Sequence, residues 1–237
     1  MARFDTAART HVGLRRKLNE DGILSCPGRG YWAVADGMGG HDAGEVASAR
    51  ALDALRTLPT SYRLDDLMDA IRTALMRANR DLIALAGGGE ERVIGSTLAG
   101  VAIARDEARC FWVGDSRVYR RRGGNIDQIS HDHSLVQQLV DGGLIAAEEA
   151  ESHPNANVIT RAIGVSDKFA VDTVSVEVRS GDRFLLATDG LTRLATAGEL
   201  ARMAGMSSIE EACDAMLALA LERGAPDNVS LILVEVG

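Results

Sequence analysis

The chain has 237 residues, 46% of them hydrophobic and 25% charged, so it can bury a sizeable core as an ordinary globular protein does. Its formal net charge of -8 argues against nucleic acid or an anionic membrane surface as the main partner. No apolar run approaches the roughly 20 residues that span a bilayer, and residues 1–20 lack the apolar stretch of a secretory signal.

The three cysteines, Cys26, Cys110 and Cys213, are an odd number without CxxC spacing. This pattern favours small buried hydrophobic side chains in a reducing compartment over a disulfide set or a zinc site. We therefore expect a cytoplasmic protein.

The first elements are short strands next to acidic turns. Residues 6–13 and 22–26 resemble strands on either side of Asn19-Glu20-Asp21. An apolar strand over 31–35 then runs into Asp36-Gly37, and a glycine-rich turn leads to a helix that opens near residue 42. An aspartate at a strand end, beside backbone that glycine lets bend tightly, suits a hard metal ion.

Two helices follow, each with apolar residues at helical spacing. The first, which Pro59 ends, is predicted to present Val46, Ala49, Leu52 and Leu55. The second ends at Gly87-Gly88-Gly89 and is predicted to present Leu64, Leu67, Met68, Ile71, Leu75, Ala78 and Leu82. We expect the two helices to form one layer packed on a sheet.

The middle of the chain is rich in strands, predicted over 96–104, 108–113, 117–121 and 126–129, with a hairpin turn at Arg122-Gly123-Gly124-Asn125. Residues 131–164 are irregular apart from a helix over 134–140. A long irregular segment inside a compact domain is more often functional than not.

The last third regains a regular pattern. Strands are predicted over 169–178, 182–188 and 229–236, the second of them ending on Asp189. Helices are predicted over 196–203 and after Ser208, where Ser208-Ile209-Glu210-Glu211 has capping-box spacing. Strands and helices occur in separate blocks, without internal repeats or linkers. This favours one α+β domain over residues 1–237 with antiparallel sheets.

Acidic residues at strand ends are the candidate functional set. Asp36 and Asp189 each follow an apolar strand and precede glycine, and Asp115 and Asp227 also flank strands. A single Asp-Gly pair is most simply a turn, but the set supplies oxygen ligands without Cys/His pairing, which favours magnesium or manganese over zinc. Clustered carboxylates repel each other, so a bound cation would hold them together.

Two such ions can activate a water molecule as a nucleophile and bind the oxygens of a phosphate ester. An arginine would complete a phosphate site because its planar guanidinium binds phosphate through two hydrogen bonds. Arg16, shortly before Asp21, is the candidate. It could equally be one member of a solvated basic cluster, Arg15-Arg16-Lys17.

These segments resemble the metal-dependent Ser/Thr protein phosphatases of the type 2C family in their bacterial form. The resemblance runs nearly end to end through 16–21, 36–41, 43–45, 95–98, 114–117, 132–134, 153–154, 157–164, 188–190 and 227–229. It implies a four-layer αββα sandwich, two antiparallel sheets flanked by helix pairs, with metals in a cleft at one end. Residues 131–164 would form a flap that borders this cleft.

The resemblance also implies the site residues. It assigns metal-ligand roles to Glu20, Asp21, Asp36, Gly37, Asp115, Asp189 and Asp227. Asp36, Asp189, Asp227 and the Gly37 carbonyl would bind two Mn²⁺ or Mg²⁺ ions directly. Glu20 and Asp21 would act mostly through metal-bound water, and Asp115 with Asp189 would hold a third, weaker ion.

The reaction that the resemblance implies is in-line attack of a metal-bridging hydroxide on phosphoserine or phosphothreonine in a protein. Asp36 and Asp189 would be catalytic through the metals, and Arg16 would bind the substrate phosphate. His41 could donate a proton to the leaving group or instead cap the glycine turn. We expect a monomer that opposes a bacterial Ser/Thr kinase.

Other functions are less consistent with the residues. A nucleic acid phosphoesterase fits poorly with the negative charge and the lack of interleaved aromatic residues. A catalytically inactive phosphoprotein-binding domain would normally have lost one of the acids. A P-loop nucleotidase is excluded because no glycine loop here leads into Gly-Lys-Ser/Thr.

Overall fold

The computed structural model describes residues 3–39, 43–58, 63–87 and 93–237. Over these ranges the strands form two antiparallel sheets, one in the order β1-β11-β10-β7-β8 and one in the order β2-β3-β5-β6-β9, with β4 paired to β3. The first sheet consists of β1 (Phe4–His11), β7 (Arg117–Arg122), β8 (Asn125–Gln128), β10 (Arg183–Ala187) and β11 (Val229–Val236). The second consists of β2 (Asp21–Cys26), β3 (Tyr31–Gly39), β4 (Ile94–Ser96), β5 (Leu98–Ala104), β6 (Glu107–Val113) and β9 (Asp172–Glu177).

Helices cover the outer face of each sheet. The helices of the described residues are α1 (Ala43–Arg56), α2 (Leu64–Leu85), α3 (Leu135–Asp141), α4 (Asp189–Thr192), α5 (Ala197–Met203) and α6 (Ile209–Glu222). One apolar cluster joins α1 and α2 to the second sheet, and another joins α5 and α6 to the first. The predicted αββα sandwich is therefore confirmed. No helix of the described residues is both long and apolar enough to cross a membrane.

The central core lies between the two sheets. The apolar side chains of the inner faces meet there, with Trp32 and Val34 from β3, Phe184 and Leu186 from β10 and Ile232 from β11 all fully buried. Removing this apolar area from water, at about 25 cal/mol per Å², drives the two sheets together. Because the sheets are fixed face to face, their strand ends are also fixed at the two ends of the sandwich.

Most predicted elements are present within a few residues of the predicted bounds. The apolar face predicted for α2 is confirmed, and Arg122 pairs with Asn125 across the predicted hairpin. The prediction for α1 was partly wrong, since Val46 and Ala49 are exposed. Small residues, Ala43, Gly44, Ala47, Ser48 and Ala51, face inward together with Leu52 and Leu55. Their size lets α1 approach the second sheet closely.

The chain between β8 and β9 holds the predicted flap segment, residues 131–164. It contains α3, whose N-cap Ser134 accepts a hydrogen bond from the backbone of Gln137, and a 3-10 turn over Ala147–Ser152. Two isolated β-bridges hold the last part of the segment in place. Ile159 pairs with Ser134 near the start of the segment, and Ile163 pairs with Ser96 of β4.

Asp182 is a buried charge that fixes the turn before β10. It is 1% exposed and accepts hydrogen bonds of 2.7 Å from both Nε and an Nη of Arg122. The backbone amide of Arg179 donates a further one, of 2.8 Å. Burial acts to raise the pKa of Asp182, but the Arg122 guanidinium and the Arg179 amide outweigh it and leave the pKa lowered.

We expect Asp182→Asn to lower the free energy of unfolding at pH 7 by about 2 kcal/mol, because a paired, buried carboxylate is lost. A lowered folded-state pKa gives stability that is present above the unfolded pKa of about 3.9 and is lost as the pH falls through the folded value. The difference between Asp182→Asn and the unsubstituted protein should therefore shrink below about pH 4. Urea unfolding at several pH values measures this.

Asp127→Asn is the matched control, since Asp127 pairs with Arg120 on the surface and its side chain is 57% exposed. We expect it to cost less than about 1 kcal/mol. Equal losses for the two variants at pH 7 would contradict the role given to Asp182.

Candidate metal centre

The predicted acids meet at one end of the sandwich because of strand register. Asp21 and Asp36 are direct partners in the β2–β3 ladder. Asp189 comes after β10 and Asp227 comes before β11, and these two strands are antiparallel neighbours. The end of β10 therefore lies beside the start of β11, which brings Asp189 and Asp227 to the same edge.

A cleft of about 480 Å³ opens at this edge. Its lining includes Arg16, Glu20, Asp36, Gly37, Met38, Gly39, Thr97, Asn157, Ile159, Asp189, Gly190, Arg193, Leu194, Pro226 and Asp227. Asp115 lies outside it, in the β6–β7 turn, on a neighbouring cavity of about 30 Å³ that Asp189 also lines. Of the predicted site residues, only Asp21 and Asp115 are missing from the cleft lining among those that the structure describes.

The backbone around Asp36 is held in place by the neighbouring strand. The Thr97 amide donates to the Asp36 carbonyl at 2.8 Å, and the Ser96 hydroxyl donates to the same carbonyl at 3.0 Å. The Asp36 amide in turn donates to the Thr97 hydroxyl oxygen at 3.2 Å. Strand β3 continues to Gly39, so the predicted glycine turn at Asp36-Gly37 is instead extended backbone paired with β4.

Two glycines allow the backbone segments of the site to touch. A Cβ atom on Gly37 would lie 1.9 Å from the carbonyl oxygen of Gly44 in α1, and one on Gly190 would lie 1.8 Å from that of Asn228. Real Cβ atoms do not approach so closely, so each position requires glycine. These approaches press α1 against β3, and the start of α4 against the start of β11.

Four acids of the site, Asp21, Asp36, Asp115 and Asp189, carry raised pKa values. Burial, followed by the charges of Asp189, Asp21 and other carboxylates, raises the pKa of Asp36 well above its usual range. Burial likewise raises the pKa of Asp21 to about 7, although Ser230 and Thr188 donate hydrogen bonds to it. Without further cations, this cluster cannot hold all its charges at neutral pH.

Asp189 lies in the same buried setting as Asp36. Burial also raises the pKa of Asp189, while the Arg193 guanidinium acts to lower it. The charge of Asp227 acts in the same direction as burial, so the pKa of Asp189 stays raised despite this guanidinium.

The donor chemistry fits a hard divalent cation. The cleft offers carboxylate oxygens and the Gly37 backbone in a half-buried setting, and burial together with mutual repulsion raises the pKa values of Asp36 and Asp189. Within the described ranges, no group of three or more His, Cys, Asp or Glu side chains is arranged so that it could already hold a metal ion. Arginine side chains pair with some of the acids, so metal binding would require those side chains to move.

Arg16 is one of these arginines. Its Nη2 lies 2.7 Å from Oδ2 of Asp227, and their side chains are 49% and 38% exposed. The guanidinium has five N–H donors, and the contact with Asp227 uses one of its nitrogens. The predicted phosphate-binding arginine therefore does lie in the cleft, beside Asp227.

The predicted role of His41 cannot be compared with the structure, since residue 41 lies outside the described residues. The histidines of the described ranges, His11, His131, His133 and His153, do not line the cleft. Each has a hydrogen-bond partner. Buried His133 accepts from the Gly114 amide and contacts Asp172, so it ties the β6–β7 turn to the flap segment.

Three residues of the site carry roles that the sequence did not predict. The Thr188 hydroxyl donates to Oδ2 of Asp21 at 2.9 Å and so links the two sheets. Asn228 accepts from the Glu20 amide and donates to the carbonyls of Val12 and Leu18. Arg193 contacts Asp115 and Asp189. Arg193 follows Asp189 by four residues at the start of a helix, and this spacing could have indicated the contact between them.

Comparison with known proteins identifies relatives of this chain. Residues 15–223 match the family model described as Protein phosphatase 2C. The chain is 37% identical over 232 residues to the serine/threonine protein phosphatase PstP of Mycobacterium tuberculosis, covering 97% of this chain and 44% of that protein. It therefore spans less than half the length of that relative.

Solved structures share the fold over the whole length. PppA of Pseudomonas aeruginosa, described as a key regulatory component of T6SS, matches with a TM-score of 0.91 and 41% identity, over 99% of this chain and 98% of that one. The catalytic domain of PstP in complex with two manganese ions matches with a TM-score of 0.89 and 33% identity, over 100% and 99%.

We expect Asn228→Asp to destabilise the protein by about 2 kcal/mol, because a carboxylate would replace the amide that donates to the carbonyls of Val12 and Leu18. The segment around Glu20 should loosen with it, which amide hydrogen exchange of residues 18–21 measures. Asn125→Asp at the exposed start of β8 is the control, with an expected change below about 0.5 kcal/mol. Unchanged exchange at residues 18–21 in Asn228→Asp would contradict the positioning role.

Proposed function

The chain belongs to the protein phosphatase 2C family, and on that premise we propose that it is a metal-dependent protein serine/threonine phosphatase. One observation carries the proposal: acids from both sheets meet at a cleft that also holds an arginine. The proposal treats residues 1–237 as one catalytic domain, in which 131–164 is the flap.

The proposed ligands of two core ions, Mn²⁺ or Mg²⁺, are Asp36, Asp189, Asp227 and the Gly37 carbonyl, with Glu20 and Asp21 beside them. When bound, the ions supply Lewis-acid activation of water and neutralise charge at the phosphate. The chain supplies the positions of these oxygens. Ser96 and Thr97 fix the backbone of Asp36, and the hydroxyl of Thr188 orients Asp21.

Arg16 is proposed to bind the substrate phosphate. It lies on the cleft, half exposed, and its ion pair with Asp227 places it beside the acids without burying it. A planar guanidinium can give two parallel hydrogen bonds to phosphate oxygens. Binding of phosphate would then compete with Asp227 for the Nη2 donor, while other N–H groups of Arg16 serve the substrate alone.

The substrate is proposed to be a phosphorylated serine or threonine in a protein. The cleft is open to solvent and is bordered by Asn157 and Ile159 of the flap segment, so a folded or extended polypeptide can reach it. Kinases and targets of a bacterial Ser/Thr kinase system are the proposed partners. We propose a monomer in the cytoplasm for this activity.

Sulfur chemistry is not part of the proposal. Burial raises the pKa values of the Cys110 and Cys213 thiols to about 12, so neither forms the thiolate that a cysteine-dependent phosphatase needs. Cys26 ends β2 at the opposite end from Asp21. Over the six residues of an extended strand that separation is roughly 17 Å.

Hydrolysis of a phosphothreonine peptide by the purified protein tests the function. We expect turnover with added Mn²⁺ or Mg²⁺ and none in excess EDTA. Asp36→Asn should lower kcat at least about 100-fold, since it removes a direct ligand, and changes to supporting residues alone cost 10- to 100-fold. The fold should persist, because asparagine keeps the volume and removes a half-buried acid.

Asp106→Asn, in the exposed β5–β6 turn, is the matched control and should keep full activity. Turnover in EDTA equal to that with Mn²⁺ would contradict the metal requirement. Full activity of Asp36→Asn would contradict the ligand assignment. A folded protein without turnover under any of these conditions would contradict the proposed function itself.

Arg16→Ala should raise KM for the phosphopeptide by about 10- to 100-fold and change kcat less, because phosphate binding is lost while nucleophile formation is kept. Arg15→Ala is the neighbouring control, since Arg15 is exposed and does not line the cleft. Steady-state kinetics of both variants with one peptide gives the comparison. The same KM for both variants would rule out the phosphate-binding role of Arg16.

A further inference from the structure

Arg193 joins three parts of the chain at the back of the cleft. It follows α4, where its amide donates to the Asp189 carbonyl one turn earlier. Its Nε lies 3.1 Å from Oδ2 of Asp189, and its Nη2 lies 3.2 Å from Oδ2 of Asp115. The same Nη2 donates to the Ala156 carbonyl of the flap segment at 2.9 Å.

This guanidinium is the cation of the Asp115–Asp189 pair. The two carboxylate side chains are 5% and 16% exposed, so they depend on a nearby positive charge more than surface acids do. Arg117 also borders the small cavity there, but it pairs with Asp132 at 2.7 Å and with Glu151 at 3.0 Å. Its charge is therefore already matched by other carboxylates.

The acids on the other side of the cleft are different. Within the described ranges, neither Asp21 nor Asp36 has an arginine or lysine within 4.0 Å, the distance that defines an ion pair. Asp21 receives neutral hydroxyl donors instead, among them that of Thr188. Among the described residues, Asp21 and Asp36 thus have no paired cation, whereas the Asp115–Asp189 pair contains one.

Asp115 and Asp189 are the two residues to which the family resemblance gives a third, weaker metal ion. We infer that in this chain the Arg193 guanidinium takes the place of that third ion, and that the same contact anchors the flap. The inference rests on the two-ion centre proposed above.

The arrangement has two measurable consequences. A divalent ion that binds Asp115 and Asp189 must displace a tethered positive charge, which opposes its binding. Displacing Arg193 also breaks the hydrogen bond to Ala156, so ion binding at this position loosens the flap. Oδ1 of Asp115 is buried and without a hydrogen-bond partner, which leaves one acceptor for the incoming ion once Arg193 is removed.

Counting bound Mn²⁺ ions tests the inference without relying on activity. Free Mn²⁺ is measured by EPR during titration of the unsubstituted protein, Arg193→Ala and Arg193→Gln. Glutamine keeps an N–H donor but carries no charge, so Arg193→Gln tests the same point if Arg193→Ala does not fold. We expect the unsubstituted protein to bind two ions per chain. The variants should bind a third ion, with a dissociation constant at least tenfold lower than that of any third ion in the unsubstituted protein.

Arg202→Ala is the matched control, since Arg202 is exposed on α5 and contacts none of these acids. It should follow the unsubstituted protein. In metal-free protein, Arg193→Ala should also speed amide hydrogen exchange over residues 153–160 several-fold, and Arg202→Ala should not.

A third ion bound with the same dissociation constant in the unsubstituted protein and in Arg193→Ala or Arg193→Gln would overturn this inference and leave the two-ion centre intact. Unchanged exchange over residues 153–160 in Arg193→Ala would overturn the flap contact. Binding of no Mn²⁺ by any of the proteins would overturn the two-ion centre, and the inference with it.

Discussion

Repulsion between neighbouring carboxylates is the constraint on which this structure depends. Packing of the two sheets brings acids from four strand ends to one edge, and partial burial there weakens the screening that water would give. Guanidinium groups offset part of this repulsion, with Arg16 beside Asp227 and Arg193 beside Asp115 and Asp189. The repulsion that remains between the carboxylates favours the binding of cations at this edge.

Neutral groups set the geometry in which that repulsion acts. Thr188 joins Asp21 to the opposite sheet, and Asn228 holds the segment before β2 through three hydrogen bonds. Gly37 and Gly190 permit backbone contacts that any side chain would prevent. These groups carry no charge, so they can be buried without adding to the electrostatic cost. Positions and charges are thus provided by different residues.

The sequence predicted what depends on local pattern. Apolar runs ending in Asp-Gly located the acids, and the strong spacing of Leu residues located α2 and its buried face. The buried face of α1 was missed because alanine, glycine and serine give little hydrophobic signal, although their small size is what close packing requires. The contact between Arg193 and Asp115 joins residues 78 positions apart. Only the packing of the β6–β7 turn against α4 creates it, and no local pattern encodes that distance.

The buried thiols bear on how the proposed phosphatase would tolerate oxidants. Cys110 lies between the sheets and Cys213 lies on the buried face of α6, and burial raises the pKa of each thiol to about 12. Peroxide attacks thiolates that solvent can reach, and these two sulfurs remain protonated and enclosed. Peroxide inactivates a phosphatase with a catalytic cysteine by oxidising that thiolate, and neither Cys110 nor Cys213 offers this target.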